Sequence, residues 1–127
     1  MTELKELISE AGVNANNHGW VIVWCTANDI VKDPTLISQS RILQGAILGK
    51  QKILTVGDAL ALLHSEVSEA LNAHRNDDQD NFKEECADIA IRLFHMCYDL
   101  KIDLNQAIKE KMKINEQRPV NHGRKNY

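Results

Sequence analysis

Two pairs of acids stand out by spacing. Glu66-Val67-Ser68-Glu69 places carboxylates at i and i+3, and Glu85-Cys86-Ala87-Asp88 repeats the arrangement. On a helix each pair shares one face. Both pairs border apolar positions: Leu63 and Val67 flank Glu66, and Ile89 follows Asp88. Like charges held partly out of water repel, and burying an unpaired one is costly. Four converging carboxylates become tolerable when a cation neutralises them. Oxygen-only ligands suit Mg²⁺ or Mn²⁺ above zinc. The competing reading, ordinary solvated helix-surface acids, stands beside it on pattern alone. Glu84 is set apart as structural, because it lies three residues after Asn81, where a carboxylate caps a helix N-terminus.

The histidines add nothing to this set. Ferritin-like di-iron bundles need Glu-x-x-His motifs, and none of His18, His64, His74, His95 and His122 has a Glu three residues before it. They are assigned no role. Cations suited to phosphate lie further along. Lys111, Asn115 and Arg118 fall at i, i+4 and i+7, on one helical face. Arg grips phosphate oxygens in pairs, and Lys supplies a point charge. A solvated stripe at a helix C-terminus is their plainer reading. Arg92, one turn beyond Asp88, either pairs with a carboxylate or touches phosphate. Trp20 or Trp24 either stacks on a base or packs in the core.

The elements that must position these residues are helical. Only two prolines interrupt 127 residues, which favours long helices. The first helix is expected from Thr2 to Ala15, with Leu4, Leu7, Ile8 and Ala11 on one stripe. Asn14 to Gly19 reads as a turn, and Trp20 to Trp24 as a strand or a buried helical turn. Asp33-Pro34 opens a second helix, stopped near Gly49. Thr55-x-x-Asp58 caps a helix reaching Arg75, with Val56, Leu60, Leu63, Val67, Ala70 and Leu71 as its apolar face. Asn81-x-x-Glu84 caps the next, running to Leu100. Its core face is Phe82, Cys86, Ile89, Leu93, Cys97 and Leu100. Asp103-x-x-Gln106 opens the last, which ends near Arg118 because Pro119 follows. The expectation is an all-α bundle of four to five helices with antiparallel neighbours.

Composition narrows the class. The length fits a single domain, residues 1–127, able to bury a core without metal or disulfides. No apolar run approaches a membrane span, and the charged start MTELKELISE is no secretory signal. A net charge of −3 and 5% aromatic content argue against binding a nucleic acid polymer. Cys25, Cys86 and Cys97 are odd in number and widely spaced, so reduced thiols in a cytoplasmic protein are expected. The modest net charge hides a division. Residues 1–56 are neutral, residues 57–108 carry −7 and residues 109–127 carry +4. An acidic helical pair precedes a basic helix and tail.

The segments ALLHSEVSEALNAHR, NFKEECADIAIRL and IDLNQAIKEKMKINEQRP, followed by HGRK, resemble the MazG-like all-α nucleoside triphosphate pyrophosphohydrolases. The resemblance spans Ala59 to Lys125 and is strongest to small single-domain members, including those of phages and mobile elements. It implies a metal site at Glu66, Glu69, Glu85 and Asp88, occupied by Mg²⁺ or Mn²⁺. It implies substrate contacts at Lys111, Asn115 and Arg118, hydrolysis of a nucleoside triphosphate to the monophosphate and pyrophosphate, and a homodimer or homotetramer. Arg92 joins the phosphate contacts, and Trp20 is the base-stacking candidate. Glu66 or Glu69 serves as general base. Residues 21–56 have no counterpart in the pattern and read as a divergent insertion, and residues 119–127 as a tail. Two other functions compete: a non-enzymatic helical interaction module, and a phosphoribosyl-nucleotide pyrophosphohydrolase on the same fold.

Overall fold

The computed structural model describes residues 2–24 and 52–119. In order they form α1 (Thr2–Asn17), β1 (Trp20–Val23), β2 (Lys52–Thr55), α2 (Val56–Arg75), α3 (Gln79–Asp99) and α4 (Leu104–Glu116). The fold is all-α, with four helices among the described residues and one short parallel strand pair. The helix expected from Asp33-Pro34, Cys25 and the end of the tail lie outside the described residues.

Local chemistry sets the helix ends. Thr55 Oγ1 accepts from the Asp58 amide, and the Asp58 carboxylate accepts from the Thr55 amide, a complete capping box with Asp in place of Glu. Asp103 caps α4 through the Gln106 amide, as its spacing predicted. The α3 cap is a correction. Asp78, not Asn81, accepts from the Asn81 amide, so the helix starts at Gln79 and Glu84 plays no capping role. Asp78 competes better because its carboxylate is charged at the positive helix end. Both α2 and α3 end in Schellman motifs. Asp77 and Lys101 take left-handed conformations, and the Asp78 and Ile102 amides close on Ala73 and Cys97 carbonyls. The Asp77 turn makes α2 and α3 antiparallel neighbours.

The buried faces differ from the expected stripes. On α2 the covered residues are Ala59, Glu66, Ala70 and Ala73, while Leu60, Val67 and Leu71 remain largely exposed. Small side chains let α3 approach closely, and the leucine stripe faces away from it. On α3 Cys97 is buried, but Cys86 and Phe82 are exposed. Burial pushes the Cys97 thiol pKa up, keeping it protonated.

The ambiguous WVIVW stretch is a strand. β1 pairs in parallel with β2, Trp20 opposite Lys52 and Ile22 opposite Leu54. Ile22, Ala59 and Leu100 form a small core, packed against Leu54, Val56 and Met96. Strand β2 had no readable signal, since KILT is only four residues long. Helix α1 packs on α3, where buried Gly12 faces the Tyr98 ring. A methyl group at Gly12 would overlap that ring. Gly12→Ala should therefore destabilise the fold by about 1–3 kcal/mol in urea unfolding. Tyr98→Ala should relieve most of that penalty in the double variant, and simple additivity would show that the contact is not the cause.

Candidate metal centre and adjoining cleft

The closeness of α2 and α3 brings acids together. One carboxylate oxygen from each of Glu66, Glu85 and Asp88 can lie within 4.8 Å of the others. Glu66 and Glu85 are each only 9% exposed, while Asp88 is open to solvent. Glu69, exposed one turn along α2, is near enough to share a hydrogen bond with Glu85. The sequence pairs thus converge, with Glu69 outside the tight trio.

Electrostatics mark Glu85. Loss of water around its carboxyl, followed by the neighbouring Glu66 and Glu69 carboxylates, pushes its pKa from 4.5 up to about 7. Its buried Oε2 meets no donor. A proton on Glu85 can be shared with Glu66 or Glu69, but the ionised group has only acceptors around it. An oxygen-only set with one orphaned buried acceptor fits a hard divalent cation. Glu66 is partly compensated already: Arg92 Nη2 lies 3.3 Å from its Oε1, and Arg92 Nε 3.4 Å. Of the two readings for Arg92, the structure displays the carboxylate pair.

A cleft of about 390 Å³ opens beside the trio. It is lined by Glu66 of α2, by Asp88, Arg92 and His95 of α3, and by Trp20 and Leu54 of the strands. Trp20 is 40% exposed, with Lys52 Nζ 5.2 Å from its ring centroid. Trp24 is more exposed and lies off the cleft lining. A larger hollow of about 800 Å³ between α1 and α3 is lined by Leu7, Val13, Phe94 and two glutamates, Glu6 and Glu10. It lacks a converging set of ligating groups, so the smaller cleft is the candidate site.

The basic face of α4 stands elsewhere. No extensive packing joins α4 to α2 or α3 among the described residues. Lys111 and Asn115 are exposed, and Arg118 Nη1 donates to Asn115 Oδ1 at 3.3 Å. One chain therefore groups the carboxylates with Arg92 and Trp20, and leaves Lys111, Asn115 and Arg118 on a separate helix.

A model of the MazG-like family matches residues 56–127, which contain all four acids and the basic helix. The chain belongs to the MazG-like family. No curated protein and no solved structure matches it. The match begins at the first residue of α2, so α1, β1 and β2 lie outside the MazG-like segment. They nevertheless supply Trp20 and Leu54 to the cleft.

His95 was missed by sequence reasoning. It is buried, lines the cleft and places Nε2 2.7 Å from Asp99 Oδ2. The signal was available: Glu85, Asp88, Arg92, His95 and Asp99 repeat at alternating steps of three and four, a polar seam along one α3 face. Metal-ligand spacing was the wrong filter for it.

The raised Glu85 pKa has a definite sign. Folding favours its protonated form, so this group's contribution to stability is complete below 4.5 and is lost as pH rises through about 7. Glu85→Gln should raise the melting temperature of the metal-free protein more at about pH 8 than at about pH 5. It should also abolish stabilisation by added Mg²⁺ or Mn²⁺. An unchanged pH profile would show that Glu85 is not the titrating group.

Proposed function

We propose that this MazG-like protein is a divalent-metal-dependent nucleoside triphosphate pyrophosphohydrolase. The observation that carries the reading is the buried carboxylate trio beside a cleft, within a segment matched by the family model. Glu66, Glu85 and Asp88 would hold Mg²⁺ or Mn²⁺, with Glu69 completing the set or facing the water. A metal held there would supply positive charge to offset the charge that develops on the phosphate oxygens.

The chain's own groups account for the remaining steps. Glu66 or Glu69 accepts the proton of the attacking water. That water attacks the α or the β phosphorus, the bond between them breaks, and the monophosphate and pyrophosphate separate. Arg92 exchanges its Glu66 partner for a phosphate oxygen once a cation offsets Glu66. Lys111, Asn115 and Arg118 hold the triphosphate tail when α4 of the same or a second chain approaches. Trp20 offers a ring to the base. The exposed Leu60, Val67 and Leu71 stripe supports a homodimer or homotetramer, whose assembly would cover it.

Purified protein with Mg²⁺ should release pyrophosphate from some member of a panel of ribo- and deoxyribonucleoside triphosphates. Including phosphoribosyl-nucleotides tests the alternative substrate on the same fold. Glu69→Gln and Asp88→Asn should each lower kcat by at least about a hundredfold. Full activity in either variant would sink the site assignment, and metal binding without turnover of any compound would favour the interaction module. Sedimentation should find an oligomer that Val67→Asp dissociates, whereas a monomeric native chain would refute the assembly.

A further inference from the structure

Helix α4 lacks the packing that supports the other helices. From Gln106 to Gln117 every side chain is exposed, and α4 packs extensively on no other element among the described residues. Thirteen residues are few for a helix to hold in water by its own propensity. Ile108 and Met112, one turn apart, both face solvent, Met112 being 58% exposed. Lys109 and Lys113 repeat the same i, i+4 step along their flank. An uncovered apolar pair beside two cations has its complement in an apolar surface that carries acids.

The hollow between α1 and α3 is such a surface. Leu7, Val13, Ile91 and Phe94 line it, the first three exposed. Glu6 and Glu10 line it too, at the same i, i+4 step as the two lysines. Among the described residues no salt bridge engages Glu6, Glu10, Lys109 or Lys113. The hollow follows α1 from Glu6 to Asn17, about 17 Å at 1.5 Å per residue, and α4 is about 20 Å long. In its own chain α4 starts beside Lys5 and Ile8, on the α1 face opposite Glu6, Leu7 and Glu10, so its exposed length points to another copy. We propose that α4 of one copy seats in the α1–α3 hollow of a second copy, and the second copy's α4 in that of the first, closing a two-fold pair. Ile108 and Met112 meet the apolar lining, and Lys109 and Lys113 pair with Glu6 and Glu10. The α1 side of this surface lies outside the residues matched by the family model. Ile91 lines both the hollow and the carboxylate cleft, so the interface borders the candidate metal centre. It is separate from the Leu60, Val67 and Leu71 stripe, and the two contacts together make a tetramer. Neither its chemistry nor its test depends on the hydrolase reading.

Charge reversal tests the pairing. Sedimentation equilibrium of Val67→Asp, which removes the α2 contact, should find a dimer. Adding Glu6→Lys with Glu10→Lys, or Lys109→Glu with Lys113→Glu, should each weaken that dimer by at least about tenfold. All four positions are exposed, and an unchanged circular dichroism spectrum checks that the variants fold. Mixing the two reversed proteins gives the sharper result. In the mixed pair each hollow faces a helix of opposite charge, so association should return to about the Val67→Asp affinity. Neither reversed protein alone can do this. A monomeric Val67→Asp protein, or reversals that leave its dimer unchanged, overturns the proposal. Weakening without recovery on mixing also overturns it, because the helix and the hollow are then not partners between copies.

Discussion

Two glutamates, Glu66 and Glu85, are buried against each other where α2 meets α3, and the neighbouring structure is organised around that repulsion. A buried carboxylate needs a proton, a cation or donors. Glu85 takes the first solution, holding its proton up to about pH 7. Glu66 takes the second, through Arg92. The first solution is incomplete, since the buried Oε2 of Glu85 meets no donor. The alanines at 59, 70 and 73 make the problem possible. Bulkier residues would separate the helices and let water between the acids, removing the cost of burying them.

A second carboxylate solves a different problem. Asp99 sits at the opposite end of the same α3 face and binds three elements: α1 through Asn16, β1 through the Ile22 amide and its own helix through His95. It fixes the N-terminal elements against the helical pair with directed bonds, which apolar packing alone does not orient. The small core of Ile22, Ala59 and Leu100 lies in the same region. One helix thus presents acids for a cation at its beginning and an acceptor for strand and histidine at its end.

Much of this was legible in sequence because it depended on local chemistry. Thr55-x-x-Asp58 and Asp103-x-x-Gln106 mark helix starts through bonds made within four residues. The convergence of the acid pairs followed from their i, i+3 spacing and the short turn between the helices. The α3 start was misread because Asp78 and Asn81 are both capable caps by residue type, and only the carboxylate charge at the helix end separates them. The apolar stripes misled for another reason. Burial of Ala59 over Leu60, and exposure of Cys86, depend on which neighbour covers each face, and that is a property of the assembled structure. His95 and Asp99 escaped notice because their partners, Asn16 and Ile22, lie about eighty residues earlier.

The parallel sense of the ribbon constrains the chain in a way its size does not suggest. Adjacent parallel strands cannot be joined by a tight hairpin, so residues 24–51 must carry the chain back to the starting end of β1. Loop replacement is therefore not neutral at this point. A two-residue link would force the strands antiparallel, reverse the polarity of one of them, and take the Ile22 amide away from Asp99. The connection cannot shrink to a turn without losing the parallel pairing that sets the Ile22 amide beside Asp99.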